Sequence, residues 1–189
     1  TSRRRATRNN SNAKPKPKPK PEAKTGAEPR AKPPQPPYGC LMRVVVSFCA
    51  RSAVAMGCAV GAMTDSEQEL ACQLIRLAVA QTLLIGDRNF GVLRIVQAAR
   101  HVHAHVLVRR TEVRARKLVA GPWRVGREYR VRWSPSRHDQ QEPGCASTPV
   151  PGRLRVAQVQ RKGFRPQTLH LFTTLLEASA YAAAVWVEV

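Results

Sequence analysis

The stretch Leu83-Leu84-Ile85-Gly86-Asp87-Arg88-Asn89-Phe90 decides how this chain is read. With Thr82 it opens as a short apolar strand that ends at Gly86. From there Phe90, Leu93, Val96 and Ala99 recur at helical spacing, predicting a helix to about Arg100. Asp87 therefore stands at the carboxyl end of a strand and just ahead of a helix. In open α/β sheets, ligand and metal sites lie outside that end of the strands, and a carboxylate there can offer an oxygen to a hard divalent cation. The competing reading is local: Asp is a good helix cap, and on these eight residues alone the cap leads.

Working outward, Leu41 to Phe48 is β-branched and apolar, and Ser52 to Val60 is a second apolar strand close behind it, so the two predict a hairpin. Ser66-Glu67-Gln68-Glu69 has the form of a capping box, with Ser66 accepting from the Glu69 amide and Glu69 reaching back. Leu70, Leu74 and Leu77 then predict an amphipathic helix to about Ala80. Ala104 to Val108 gives another strand. The order β-β-α-β-α-β predicts a mixed sheet with helices on its faces, the hairpin lying beside the Thr82–Gly86 strand. Past Arg109 the texture changes. Arg127 to Trp133 and Arg153 to Gln160 alternate charged and apolar residues, as half-exposed antiparallel strands do. Ser134 to Pro151 reads as a polar loop, Gln167 to Leu176 as a strand, and Ser179 to Val189 as the start of an apolar helix.

The formal charge is +20 over 189 residues. Such a balance predicts attraction to polyanions without choosing among them. Residues 1–37 carry 11 Lys and Arg against Glu22 and Glu28, and so hold +9 of that charge. The alternation Lys14-Pro15-Lys16-Pro17-Lys18-Pro19-Lys20-Pro21 predicts an extended, disordered basic tail with no packed core. Only three Trp, three Tyr and four Phe are present, which argues against a single-strand binder built on stacking platforms. The five cysteines form no CxxC pair and are read as small buried residues in a reducing, cytoplasmic compartment. No apolar run approaches the roughly 20 residues of a membrane span. Neither a Gly-rich phosphate loop nor a Ser-His-Asp grouping nor a dinucleotide fingerprint is present.

The Asp87 stretch resembles the second-aspartate motif of insertion-sequence DDE transposases, in the group that carries a β-rich insertion. Members follow an apolar strand, then Ala or Gly, Asp-Arg, Gly or Asn, and Phe. Arg43-Val44-Val45-Val46 with Ala53-Val54-Ala55 is similar to the paired strands ahead of that motif. Thr173-Thr174-Leu175-Leu176-Glu177, followed by Tyr181, is similar to the segment leading to the last catalytic motif. The resemblance covers about Tyr38 to Val189.

It implies a partial ribonuclease-H-like core at residues 38–110, a β-rich insertion at 111–176, and at 177–189 the start of the helix leading to the catalytic Glu. Two Asp and one Glu of the family hold two Mg²⁺ (or Mn²⁺) ions that activate the attacking oxygen and steady the leaving one. Asp87 would be the catalytic, metal-binding member. The family's first Asp lies on a strand before the hairpin, and its last motif, Tyr-x-x-Arg-x-x-x-Glu, falls about where Val189 stands. Glu22, Glu28 and Asp65 have the wrong setting for the first, and Glu188 precedes the second. The chain is accordingly expected to be a transposase fragment truncated at both ends and inactive alone. Its parent would cleave transposon ends, join them to target DNA in the bacterial nucleoid, and self-associate on DNA. Arg88, Arg109, Arg110, Arg114, Arg116 and Lys117 are the DNA-contact candidates, against a plain solvated basic face. The alternative class is a non-catalytic basic DNA- or RNA-binding protein in which Asp87 is only a cap.

His101, His103 and His105 alternate toward a strand. Three imidazoles on one face can bind zinc, but without a local Cys or carboxylate they read as edge polarity.

Overall fold

In a computed structural model, the structure describes residues 41–160 and 162–177. The expected tail, 1–37, and the expected helix from Ser179 lie outside the described residues.

The apolar hairpin forms as expected: β1 (Met42–Phe48) pairs antiparallel with β2 (Ala55–Ala62) in a register running from Met42 opposite Ala62 to Phe48 opposite Ala55. Its inward face sets Arg43, Val45 and Ser47 of β1 against Gly61, Ala59 and Gly57 of β2. Gly57 and Gly61 sit under Leu74 and Leu70 of α1 (Glu67–Ile75), whose side chains approach to within van der Waals distance of where a Cβ would stand. Its outward face, with Met42, Val44, Val46, Phe48, Met56 and Val60, is exposed. The expectation that this hairpin would lie beside the Thr82–Gly86 strand needs correction. β1 and β2 form a two-stranded sheet of their own and share no ladder with β3 (Leu83–Gly86).

Helix α1 is shorter than the Leu70–Leu74–Leu77 spacing predicts. It ends at Ile75, and Leu77 and Val79 point into solvent. The chain must turn back to enter β3: Gln81, at positive φ, donates its amide to the His103 carbonyl, and Thr82 accepts from His105. These tertiary bonds override a local preference that would have run the helix to Ala80. The capping box is also only half formed. Ser66 Oγ accepts from the Gln68 amide at 3.2 Å, while Glu69 reaches across to Arg94 at 3.3 Å instead of back to Ser66.

From β3 the chain crosses through α2 (Leu93–His101) to β4 (His105–Arg110), which lies parallel to β3. After the short α3 (Glu112–Arg116) come β5 (Glu128–Trp133), α4 (Arg137–Gln141), β6 (Val150–Val159) and β7 (Gln167–Thr173). Two of these helices fall where the sequence predicts only connecting chain. Thr111 caps α3 by accepting from the Arg114 amide, and Ser136 with Asp139 makes a complete capping box for α4.

The five-stranded sheet has the order β3-β4-β7-β6-β5, parallel only between β3 and β4. Residues 111–176 therefore share one sheet with β3 and β4. They share one core as well. On the inner face, Val106 and Val108 of β4, Phe172 of β7, Leu154 of β6 and Trp133 of β5 pack with Leu93, Val96 and Ala99 of α2 and Ala71, Cys72 and Ile75 of α1. The centre of this layer depends on a glycine: a Cβ on Gly152 would overlap the Phe172 ring and stand 2.7 Å from the Thr173 carbonyl oxygen. Trp133 meets Phe172 edge-on, with ring centroids 5.0 Å apart.

Candidate functional site

Asp87 does not cap α2. That helix starts at Leu93, with Val92 as its N-cap and no side-chain cap bond. Asp87 instead organises the turn that precedes it: its Oδ1 accepts from the Asn89 amide at 2.9 Å, and the Phe90 amide donates to its carbonyl at 3.2 Å. Gly91 seats this turn on the sheet, because a Cβ there would overlap the Arg109 carbonyl at the end of β4. The carboxylate is exposed, at the carboxyl end of a strand lying parallel to its neighbour.

The amino end of α1 meets the same turn. Gln68 Nε2 donates to the Asn89 carbonyl at 3.1 Å, and Asn89 Nδ2 donates to the Glu67 carboxylate. Arg43 at the start of β1, with Ser66, Glu67, Gln68 and Asn89, lines a polar hollow of about 260 Å³ beside it. Arg43 donates to the Asp65 carbonyl. The start of β1 and the turn after β3 are thus both found at the amino end of α1. Val45 of β1 and Leu84 of β3 both pack against the core beneath the helices. Each strand has one ladder partner among the described residues, β2 for β1 and β4 for β3, which leaves one edge of each open.

As a metal site this donor set is incomplete. Among the described residues no three of His, Cys, Asp and Glu converge. Glu67, at the same turn, is engaged by Asn89. Two Mg²⁺ ions need more carboxylate oxygens than one exposed aspartate supplies. The three histidines do not share a face either. His101 ends α2, His103 stands in the turn at φ 56°, and His105 begins β4.

The basic run from Arg109 to Lys117 is divided by the strand it begins in. β4 extends to Arg110, so alternation turns Arg109 to the outer face and Arg110 inward. Arg110 is buried, its guanidinium carbon 3.6 Å from the Trp133 ring centroid, and its Nη2 donates to the Arg114 carbonyl. Burial, reinforced by Arg114, pushes it down to about 10, so it remains a cation at neutral pH. Arg116 is exposed but doubly engaged by Glu112, and it lies 4.9 Å from the Trp123 ring. Trp123 in turn stacks on His170 at 4.7 Å. Burial holds the His170 imidazole below its ordinary range, and Arg109 and Arg116 push the same way against Glu112. Arg88, Arg109, Arg114 and Lys117 are exposed. The run is therefore several separate structural roles and not one patch.

Reading the strands one at a time misses a buried ion pair. Arg153 is almost wholly buried on β6, with Nε and Nη2 on the Glu128 carboxylate at 2.5 and 2.8 Å and Nη1 on the Leu175 carbonyl at 3.2 Å. The available signal is the alternation of both strands, which places a basic position of one next to an acidic position of the other once register is known.

Compared with family models, curated proteins and solved structures, the chain gives no match. No described helix is long and apolar enough to cross a membrane.

Proposed function

We propose that this chain carries part of the catalytic core of a DNA transposase, a ribonuclease-H-like sheet in which Asp87 is one of the carboxylates that hold Mg²⁺ or Mn²⁺. One observation carries the reading. Asp87 is exposed at the carboxyl end of β3 and oriented by its own turn, and β1 and β3 each have one edge without a ladder partner among the described residues. The resemblance puts the family's first Asp on a strand preceding the hairpin. A strand seated along those open edges would run beside β3 and bring a second carboxylate toward Asp87. The third would come from a helix after β7. The partners in this reading are transposon ends, target DNA and further copies of the protein on DNA, in a bacterial cytoplasm.

The 189-residue chain itself should bind DNA but neither nick it nor transfer strands in Mg²⁺, because the described residues provide one family carboxylate where the two-metal clamp needs three. Asp87→Asn in a chain extended to include the other two motifs is the decisive variant. Its amide oxygen can still accept from the Asn89 amide, so the turn survives while the charge is lost. Strand transfer should disappear with an unchanged unfolding midpoint. Metal-dependent transfer that persists in Asp87→Asn would overturn the assignment.

The Asp87–Asn89 bond also favours a second reading, in which the chain is a non-catalytic, basic DNA- or RNA-binding protein and Asp87 serves its turn alone. In that case Asp87→Asn is silent in every assay. Only Asp87→Ala, which removes the acceptor, lowers stability, by about 1 kcal/mol.

A further inference from the structure

The ladder registers place four arginines on the outer face of β5 and β6, the face away from α1 and α2. Arg155 lies opposite Glu128, Arg153 opposite Arg130, and Pro151 opposite Arg132. Only one acid, Glu128, stands among them, and it is taken by Arg153 through both carboxylate oxygens. Among the described residues, three cations are left without a counter-charge on this face. Arg130 and Arg132 are exposed, and Arg155 is half-buried with an Nε that is shielded from solvent and has no acceptor. The row continues across the sheet, since Arg155 is opposite Leu171 and Leu171 opposite Arg109. Arg109 thus stands on the same face two strands away, about 10 Å at ordinary strand spacing.

This arrangement is unfavourable in the isolated protein. Arg130 stands directly opposite Arg153, whose charge Glu128 already matches, whereas the buried Arg155 Nε has no acceptor, and a shielded donor left unpaired costs free energy. Charged residues on an edge strand do protect it from pairing with other chains, which is a sufficient reason for Arg130 and Arg132. It does not account for Arg155, which is on the interior strand β6. Residues 124–167 as a whole hold ten Lys and Arg against Glu128, Asp139 and Glu142, a net +7, while residues 41–110 hold eight against four acids, a net +4.

We propose that the outer face of β5 and β6 seats the phosphate backbone of duplex DNA through Arg130, Arg132 and Arg155, with Arg109 extending the contact. This rests on the DNA-binding part of the function proposed above and is independent of its chemistry. Guanidinium groups are suited to phosphate because two N–H donors match two phosphate oxygens. Among the described residues the outer-face rows of β5 and β6 carry no aromatic side chain: Tyr129 and Trp133 of β5 share the inner-face rows with Leu154 and Val150. Unpaired bases therefore find no stacking platform there, and a duplex backbone is the fitting partner. Contacts of this kind position the protein without reading sequence.

The test uses the whole 189-residue chain and a 30-base-pair duplex of arbitrary sequence, with affinity measured by anisotropy across a salt series. Arg130→Gln/Arg132→Gln/Arg155→Gln should flatten the plot of log affinity against log salt by about 2.7, at about 0.9 for each phosphate no longer neutralised. The control Arg51→Gln/Arg76→Gln/Arg100→Gln removes the same charge from exposed positions elsewhere, and should change the slope by less than about 0.9. If the first triple variant fails to fold, Arg130→Gln/Arg132→Gln, both at exposed positions, should still flatten the slope by about 1.8. Equal effects of the strand and control variants would reduce the face to general charge and overturn the proposal. So would an unchanged slope in the strand variants, or a weakening seen with single-stranded RNA and not with the duplex. Absence of metal-dependent strand transfer bears on Asp87 and leaves these outcomes as they are.

Discussion

The β1–β2 hairpin and the β5–β6 pair are both antiparallel ladders of alternating sequence, and they differ in what each face meets. Both turn one face toward the helical layer. The outer face of the hairpin is Met42, Val44, Val46, Phe48, Met56 and Val60, all apolar and all exposed. The outer face of β5–β6 is Glu128 and four arginines, and includes the most buried charge of the described fold, Arg153. Among the described residues the hairpin also keeps an open edge on β1, while β6 is laddered on both sides. A ladder with one packed face and one open edge gains little from its side chains, whereas one whose polar groups are paired inside a continuous sheet is sensitive to every partner. The contrast predicts where stability resides and which faces await a partner.

The largest expected effect lies in β5–β6. Glu128→Ala removes the carboxylate that Arg153 holds through two nitrogens, and a buried cation deprived of its counter-charge costs about 3 kcal/mol. Urea unfolding of the variant against the parent chain measures it. A change below about 1 kcal/mol, on the order of a surface ion pair, would mean that the pair contributes no more than exposed charges do.

Gly152→Ala comes next. The added methyl must displace the Phe172 ring from the centre of the sheet, a clash that costs about 1 to 3 kcal/mol. The signature to look for is a lowered unfolding midpoint together with altered near-ultraviolet dichroism from Trp133, which packs edge-on against Phe172. If both stay unchanged, the ring has another place to go and the glycine is not required.

The smallest effect is predicted for the hairpin. Val44→Thr and Val46→Thr sit on its exposed face at 51% and 39% exposure, and each should change stability by no more than about 0.5 kcal/mol. A markedly larger loss would show that this apolar face is covered in solution, and the comparison between the two ladders would then have to be redrawn.

How much of this is legible in the sequence varies with the distance over which each interaction acts. The apolar hairpin, the strand before Asp87 and the alternating β5 and β6 are all readable, because period-two patterning is a local signal. The placement of Asp87 at a strand end is readable for the same reason. Its local bonding is not: the helix behind it starts six residues later, at Leu93, so its exposed carboxylate accepts from the Asn89 amide of its own turn rather than capping that helix. The basic run reads as one patch in the sequence because the apolar stretch of β4 stops at Val108. Two further residues of strand, held by pairing with His170 and Leu171 of β7, send Arg109 and Arg110 to opposite faces.

By itself the sequence determined the mixed α/β class, the positive charge and its distribution, and the residues that alternate in and out of each strand. Those follow from backbone period and side-chain chemistry, which need no partner. Only the tertiary structure decided that residues 111–176 continue the sheet of β3 and β4, that the hairpin stands apart from it, and that Glu128 answers Arg153 and leaves Arg155 uncompensated. Strand order and register arise from backbone hydrogen bonds between segments far apart in the chain. A one-residue shift of register would exchange every inward side chain for an outward one.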